Sequence, residues 1–325
     1  MGILYSELGG VDMRNDIHTG ADEQASKENQ DGRLLAVKVD YVFAKLFGKR
    51  SHERVLVCLL NAILNGKPHI KSVTLDPTEY KKTSPDGKSV RLDIAATSDD
   101  GTRLHIEMQC HNEGNIGDRA SFCQARLRED ELKEGENYSS IPNIISIWIC
   151  DEPVTKRKSC CHEIVSMYKE NGVDPIEIAS EKMRQFIIEL SKLEMTPKRF
   201  LNDMFQIWMM FIKDPNSIPP EFLSIPEVKE AMDELTLMSS DPETRAVYKA
   251  RLQELNDIRA GMSVKYEEGK EKGREEGKEE GEKIGERKKA IETAKKMLAK
   301  NVDISDIADF TGLDIAEIKK LQSHG

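Results

Sequence analysis

The chain has 325 residues, of which 38% are hydrophobic and 33% charged, with a net charge of −10. That is material for about two domains, with one sizeable core and a strongly charged remainder. Apolar stretches such as Ile144 to Cys150 fall far short of the ~18 residues of a membrane span. No basic segment followed by an apolar run opens the sequence, so a secretory leader is not expected. The six cysteines include no CxxC pair, which excludes a zinc ribbon or a disulfide scaffold. Cys160-Cys161-His162 reads as reduced thiols, because adjacent strand residues point apart and make poor co-ligands. A reducing, cytoplasmic setting fits best.

The acidity is uneven. Residues 1–32 carry −5, residues 265–289 balance nine acids with nine bases, residues 290–325 carry −1, and the middle, 33–264, carries −4. A uniformly acidic protein would repel nucleic acid. Here a local basic groove in the middle segment is compatible with the charge, and a bound divalent cation would add to it.

In chain order, residues 1–32 are polar and aperiodic and read as a mobile arm. From Asp40 apolar residues recur at helical spacing: Tyr41, Phe43, Leu46 and Phe47, then Val55, Leu56, Leu59, Leu60, Ile63 and Leu64. Gly48 divides the run into two helices, and Asn65-Gly66-Lys67-Pro68 ends it. Ile70 to Leu75 is short and β-branched. Val90 to Ala96 and Leu104 to Cys110 alternate, with Ser98-Asp99-Asp100-Gly101 as a turn, so a hairpin is predicted around residue 100. Residues 118–134 form an amphipathic helix pattern, with Ala120, Cys123, Leu127 and Leu132 inward. Ile144 to Cys150 is a candidate central strand in which Trp148 reads as core, and residues 184–190 are one further strand. From Pro197 to about residue 260 the pattern is helical, punctuated by prolines.

In the tail, Gly269, Gly273, Gly277, Gly281 and Gly285 recur every four residues among charged triplets. This strip reads as a solvated linker helix or as an oligomerisation face. Residues 290–325 look like three short helices, with Ile307 and Phe310 on the second. That resembles a helix-turn-helix, but its third helix has only Lys319 and Lys320 as bases, which makes it a poor DNA reader.

The hairpin carries the candidate chemistry. On its second strand Leu104, Ile106 and Met108 point one way and His105, Glu107 and Gln109 the other. On its first strand Leu92 and Ile94 are expected to share a side, with Asp93 opposite. A tight turn then sets Asp93 across from Glu107. Two such carboxylates repel unless a proton or a cation lies between them, and Mg²⁺ suits oxygen ligands of this kind. By alternation alone the face reads first as an ordinary solvated hairpin surface.

Asp93, thirteen residues, then Glu107-x-Gln109 resembles the D…(D/E)xK core of the PD-(D/E)XK nucleases, with glutamine in place of lysine. The resemblance extends to the recombination-promoting nuclease or putative-transposase branch. It runs through DYVFAKLFG at 40–48, LLNAIL at 59–64, RLDIAATSDDGTRLHIEMQ at 91–109, GENYSSIPNIISIWIC at 135–150, IIELSKLE at 187–194, the glycine-rich tail and DFTGLDIAEIKKL. Ala44 departs from the Phe-Lys pair usual in the opening element, with Lys45 one position on, and Gln124 falls where an aromatic residue is common.

The resemblance implies an α/β (α+β) fold, a restriction-endonuclease-like core with a mixed central sheet flanked by helices, and an all-helical C-terminal region. The expected divisions are an arm at 1–32, the core at 33–196, a helical extension at 197–264, the linker helix at 265–289 and a small helical unit at 290–325. It implies a Mg²⁺-dependent DNA endonuclease, with Mn²⁺ or Ca²⁺ as other cations to consider. Asp93 and Glu107 would be metal ligands, and Gln109 a catalytic residue orienting water. Arg119, Arg126 and Lys45 would meet DNA, and Asp40 would be accessory. His105 reads as a surface histidine more readily than as an accessory phosphate contact. The alternative is an inactive member that oligomerises, or binds DNA as a regulator, through the helical tail; a homo-oligomer is expected on either reading.

Overall fold

The computed structural model describes residues 33–80, 90–112, 114–129, 131–132, 134–168, 177–193 and 203–323. The expected N-terminal arm lies outside them. Two helices, α1 (Asp40–Phe47) and α2 (Glu53–Ile63), are followed by strands β1 (Val73–Leu75), β2 (Glu79–Tyr80), β3 (Val90–Arg91), β4 (Ile94–Ser98) and β5 (Arg103–Gln109). Helix α3 (Ile116–Glu129) precedes β6 (Ile144–Cys150), β7 (Cys161–Tyr168) and β8 (Glu177–Glu189). Then come α4 (Met204–Lys213), α5 (Pro226–Ser240), α6 (Pro242–Leu298), α7 (Ile304–Thr311) and α8 (Ile315–Ser323).

Six strands form one mixed sheet in the order β1-β4-β5-β6-β8-β7. The hairpin β4–β5 is antiparallel, with Ile94 opposite Ile106. Strands β5, β6 and β8 are parallel, with Gln109, Cys150 and Glu189 in register across them. The hairpin turn works as its sequence suggests. The Asp100 carboxylate accepts from Thr102 N at 2.9 Å and from Ser98 Oγ at 2.6 Å, and Gly101 takes φ +83°, which costs glycine little.

Both faces of the sheet are covered, as a parallel centre requires. Ile94, Leu104, Ile106, Met108, Ile145, Ile147, Ile149 and Ile188 pack on one side against α1, α2, α4 and α5. Phe43, Phe47, Trp208 and Phe211 form an aromatic chain there, with centroids 4.9–5.7 Å apart. Leu92, Ala95, Ile144, Trp148, Cys150 and Ile187 pack on the other side against Ile116, Ala120, Cys123 and Leu127 of α3.

Two expectations are corrected. The Glu107 face of the hairpin is not a solvated surface, because α3 and Trp148 cover it. Leu92 and Ile94 do not share a side, since they belong to different cores. The cause is a break: Leu92 and Asp93 lie outside both strands, β3 pairs with β2 in a separate small sheet, and the alternation restarts at Ile94.

Strand β8 is longer than expected, thirteen residues, and its antiparallel partner β7 was not legible, because an exposed edge strand such as CHEIVSMY shows no clean alternation.

The chain divides into two compact units, meeting at Leu255/Asn256 within α6. The second unit has its own core of Ala294, Ile307, Leu313 and Ile318. Asp303 caps α7 by accepting from Ser305 N. The glycines from 269 to 285 lie in unbroken helix, and a Cβ at any of them would meet nothing within 4 Å. No described helix is long and apolar enough to cross a membrane.

Candidate active site

The break before β4 positions Asp93. Free of the ladder, its side chain turns to β5, and Oδ2 accepts from Met108 N at 2.8 Å. Its own N–H donates to Glu107 Oε2 at 3.2 Å. The two acids expected to face each other are thus directly linked. Burial first, and the charge on Glu107 second, push the Asp93 carboxyl up to about 8, and Asp40 adds to the effect. A buried carboxyl beside another acid holds a proton or a cation.

Glu107 is 6% exposed and is oriented by a chain of donors. His105 Nε2 lies 3.2 Å from Glu107 Oε2, and His105 Nδ1 lies 2.9 Å from Ser146 Oγ. Trp148 Nε1 donates to the same Ser146 Oγ at 3.0 Å. An indole N–H can only donate and an ionised carboxylate can only accept. Ser146 Oγ therefore accepts from Trp148 and bridges it to His105 Nδ1, and His105 holds Glu107 through Nε2. His105 is 0% exposed, so it is neither a surface histidine nor placed to touch phosphate. Its signal in the sequence was indirect: a strand beside the mostly apolar Ile144–Cys150 is buried on both faces, so its polar residues must find partners.

Gln109 engages both ends of its amide. Nε2 donates to His111 O at 2.8 Å, and Oε1 accepts from Arg119 Nη1 at 2.9 Å. Arg119 comes from the first turn of α3. Its Nη2 lies 3.8 Å from Glu107 Oε1, and its guanidinium sits 5.5 Å from the centre of the Trp148 ring. A cation therefore stands beside Gln109 and Glu107, delivered by a helix instead of the strand.

Asp40, at the start of α1, accepts a bidentate pair from Arg251 of α6, including Arg251 Nε at 2.9 and 3.0 Å. A cleft of about 750 Å³ is lined by Asp40, Tyr41, Lys45, Arg91, Asp93 and Arg251 among others. Asp93 thus meets a cleft wall that carries three cations. Lys45 itself donates to Thr244 Oγ1 at 2.7 Å. Arg126 lies elsewhere: it is 7% exposed and pairs with Glu129. Arg251 was missed in the sequence because its partner is 211 positions away and nothing local marks it.

Among the described residues, no group of three or more His, Cys, Asp and Glu side chains is arranged to hold a metal ion. The donor set present is the pair Asp93 and Glu107. Asp93 Oδ1 takes none of the bonds above and Glu107 Oε1 meets only Arg119, at 3.8 Å, so these two hard oxygens fit a divalent cation that completes its shell with water or substrate oxygen.

A mixed sheet with two acids at the end of a hairpin, a polar residue two positions on and a cleft carrying Lys45 and Arg91 is an arrangement of the nuclease class. Residues 37–265 match the family model described as PD-(D/E)XK nuclease family transposase, and the chain belongs to that family. Nucleases of this superfamily generally use divalent metals. No curated protein and no solved structure matches the chain.

Proposed function

We propose that the protein is a Mg²⁺-dependent DNA endonuclease of the recombination-promoting type, acting in the cytoplasm. The observation that carries this is the direct link between Asp93 and Glu107, with the raised proton affinity of Asp93, beside a basic cleft. Asp93 Oδ1 and Glu107 Oε1 would hold the cation. When bound, such an ion neutralises phosphate charge and lowers the pKa of a coordinated water. The remaining work falls to the chain itself. His105 fixes the Glu107 carboxylate. Gln109 aims Arg119, whose guanidinium supplies near the scissile phosphate the positive charge that a lysine at position 109 would carry. Lys45 and Arg91 give the cleft a sign that attracts a polyanion.

The test is nicking of supercoiled DNA by purified full-length protein with Mg²⁺, Mn²⁺ or Ca²⁺, or with chelator. Wild type is expected to nick with Mg²⁺ and to stop with chelator. Asp93→Ala should cut on the order of 10²–10³-fold more slowly, or not at all, while remaining folded. Equal nicking by wild type and Asp93→Ala would overturn the reading.

A further inference from the structure

The loop between β6 and β7 carries a basic triplet, Lys156-Arg157-Lys158, whose side chains are all exposed. The catalytic cluster does not use it. Its place in the fold is well defined. It leaves the sheet beside the site, where Asp151 N donates to Gln109 O at 3.0 Å, and it returns beside β8, where Glu189 N donates to Cys160 O at 2.7 Å. Because Gln109, Cys150 and Glu189 are in register on parallel strands, the loop leaves and rejoins the sheet at the end that carries Glu107 and Asp93.

The loop is also held in shape. Glu189, 0% exposed, accepts from Val154 N at 2.6 Å, Thr155 N at 2.8 Å and Thr155 Oγ1 at 3.0 Å. Lys192 Nζ donates to Thr155 O at 2.6 Å, and Arg157 N donates to Thr155 Oγ1 at 3.3 Å. The backbone entering the triplet is therefore pinned by a buried acid. That acid is itself balanced by Lys192 at 2.7 Å and faces His162 at 3.0 Å. The acids at the start of the loop are engaged too, Asp151 with Lys38 at 2.9 Å and Glu152 with His111 at 3.2 Å. What the loop presents to solvent is net positive charge, in a protein of net charge −10.

We infer that Lys156, Arg157 and Lys158 form a phosphate-binding element that grips the DNA backbone away from the scissile phosphate. The identity of the ligand as DNA rests on the nuclease reading above. Asp93 and the loop stand some three strand spacings apart along the edge, on the order of 15 Å, comparable with the ~12 Å width of the major groove. A duplex with one phosphate at Asp93 and Glu107 can thus present a phosphate across the groove to the loop. A pinned loop loses little conformational freedom on binding.

The experiment measures binding of a fluorescent 30-base-pair duplex to full-length protein in Ca²⁺ over a range of salt, in parallel with nicking in Mg²⁺. Proteins compared are wild type, the combined K156A, R157A and K158A variant, and a control of equal charge loss, the combined K49A, R54A and K229A variant. The control residues are exposed and pair with acids in or near α5. The loop variant is expected to melt as wild type does and to bind at least ~10-fold more weakly near 0.1 M salt, with a salt slope smaller by about 2–3, while the control stays near wild type. If wild type binds and the loop variant matches it in affinity and slope, the inference is overturned. If the control weakens as much as the loop variant, only net charge matters, and the inference is again overturned. Cleavage lost in Asp93→Ala but not in the loop variant at saturating DNA keeps the two readings distinct. A wild type that binds through the loop and never nicks would sink the nuclease reading alone.

Discussion

At residue scale, Asp93 is held where its charge is costly, and the cost has a measurable sign. Its carboxyl titrates near 8 in the fold, against an ordinary value of 3.8. Between those values the native state keeps a proton that the unfolded chain has lost, so the Asp93 contribution to metal-free stability falls as pH rises through this window and levels off above 8. Asp93→Asn keeps an acceptor for Met108 N and removes the charge. In chelator it should be more stable than wild type at pH 8 by on the order of 1 kcal/mol or more, with the gap closing toward pH 4. Denaturant titrations across that range check this; a gap independent of pH would refute it.

The Gln109–Arg119 pair supports a second residue-scale prediction. Arg119→Ala should slow nicking on the order of 10²–10³-fold, and Gln109→Lys should remain active. The double substitution should recover part of what Arg119→Ala loses, since lysine restores a cation at the same place. Failure of that recovery in a nicking assay would separate the roles of the two side chains.

At the scale of elements, one helix gives its two arginines different fates. Arg119 and Arg126 are seven residues apart and share a face of α3, but they lie ~10 Å apart along its axis. The first reaches Gln109 and the second is turned to Glu129. Helix α6 shows the same division. Its first turns serve the core unit through Tyr248, Arg251 and Leu255, and Leu255 O meets His111 Nε2 at 3.1 Å. The rest is exposed glycine-spaced helix leading to a unit with its own core. A chain ending at residue 264 is therefore expected to nick DNA near the full-length rate. One ending at residue 241 loses the Asp40 and His111 partners and should fall to background, with a lower melting temperature. Equal activity of the two truncations would show that α6 is not needed.

At the scale of the whole molecule, a chain with net charge −10 still carries Lys45 and Arg91 in the cleft, Arg119 beside Gln109 and three exposed bases on the β6–β7 loop. Helices α1 and α2, the β4–β5 hairpin and the central strand Ile144–Cys150 were legible in the sequence, because each carries its own period or turn residues, whereas the single helix over Pro242–Leu298 was read as three segments. The nearness of Asp93 and Glu107 was legible, but not its form, since Asp93 lies outside the ladder and meets Glu107 through its backbone N–H. The break at Leu92–Asp93 was not, because the pairing of β3 with β2 that causes it lies outside the hairpin.

The sequence by itself determined the local elements, the two carboxylates and the family likeness, all of which are written in residues close along the chain. Only the tertiary structure decided that His105 is buried as the support of Glu107, that Arg119 stands beside Gln109, that Asp40 belongs to Arg251, and that a buried Glu189 pins a basic loop at the site. Each of those depends on a partner from another strand or helix, and side-chain period carries no information about which distant element will cover a face.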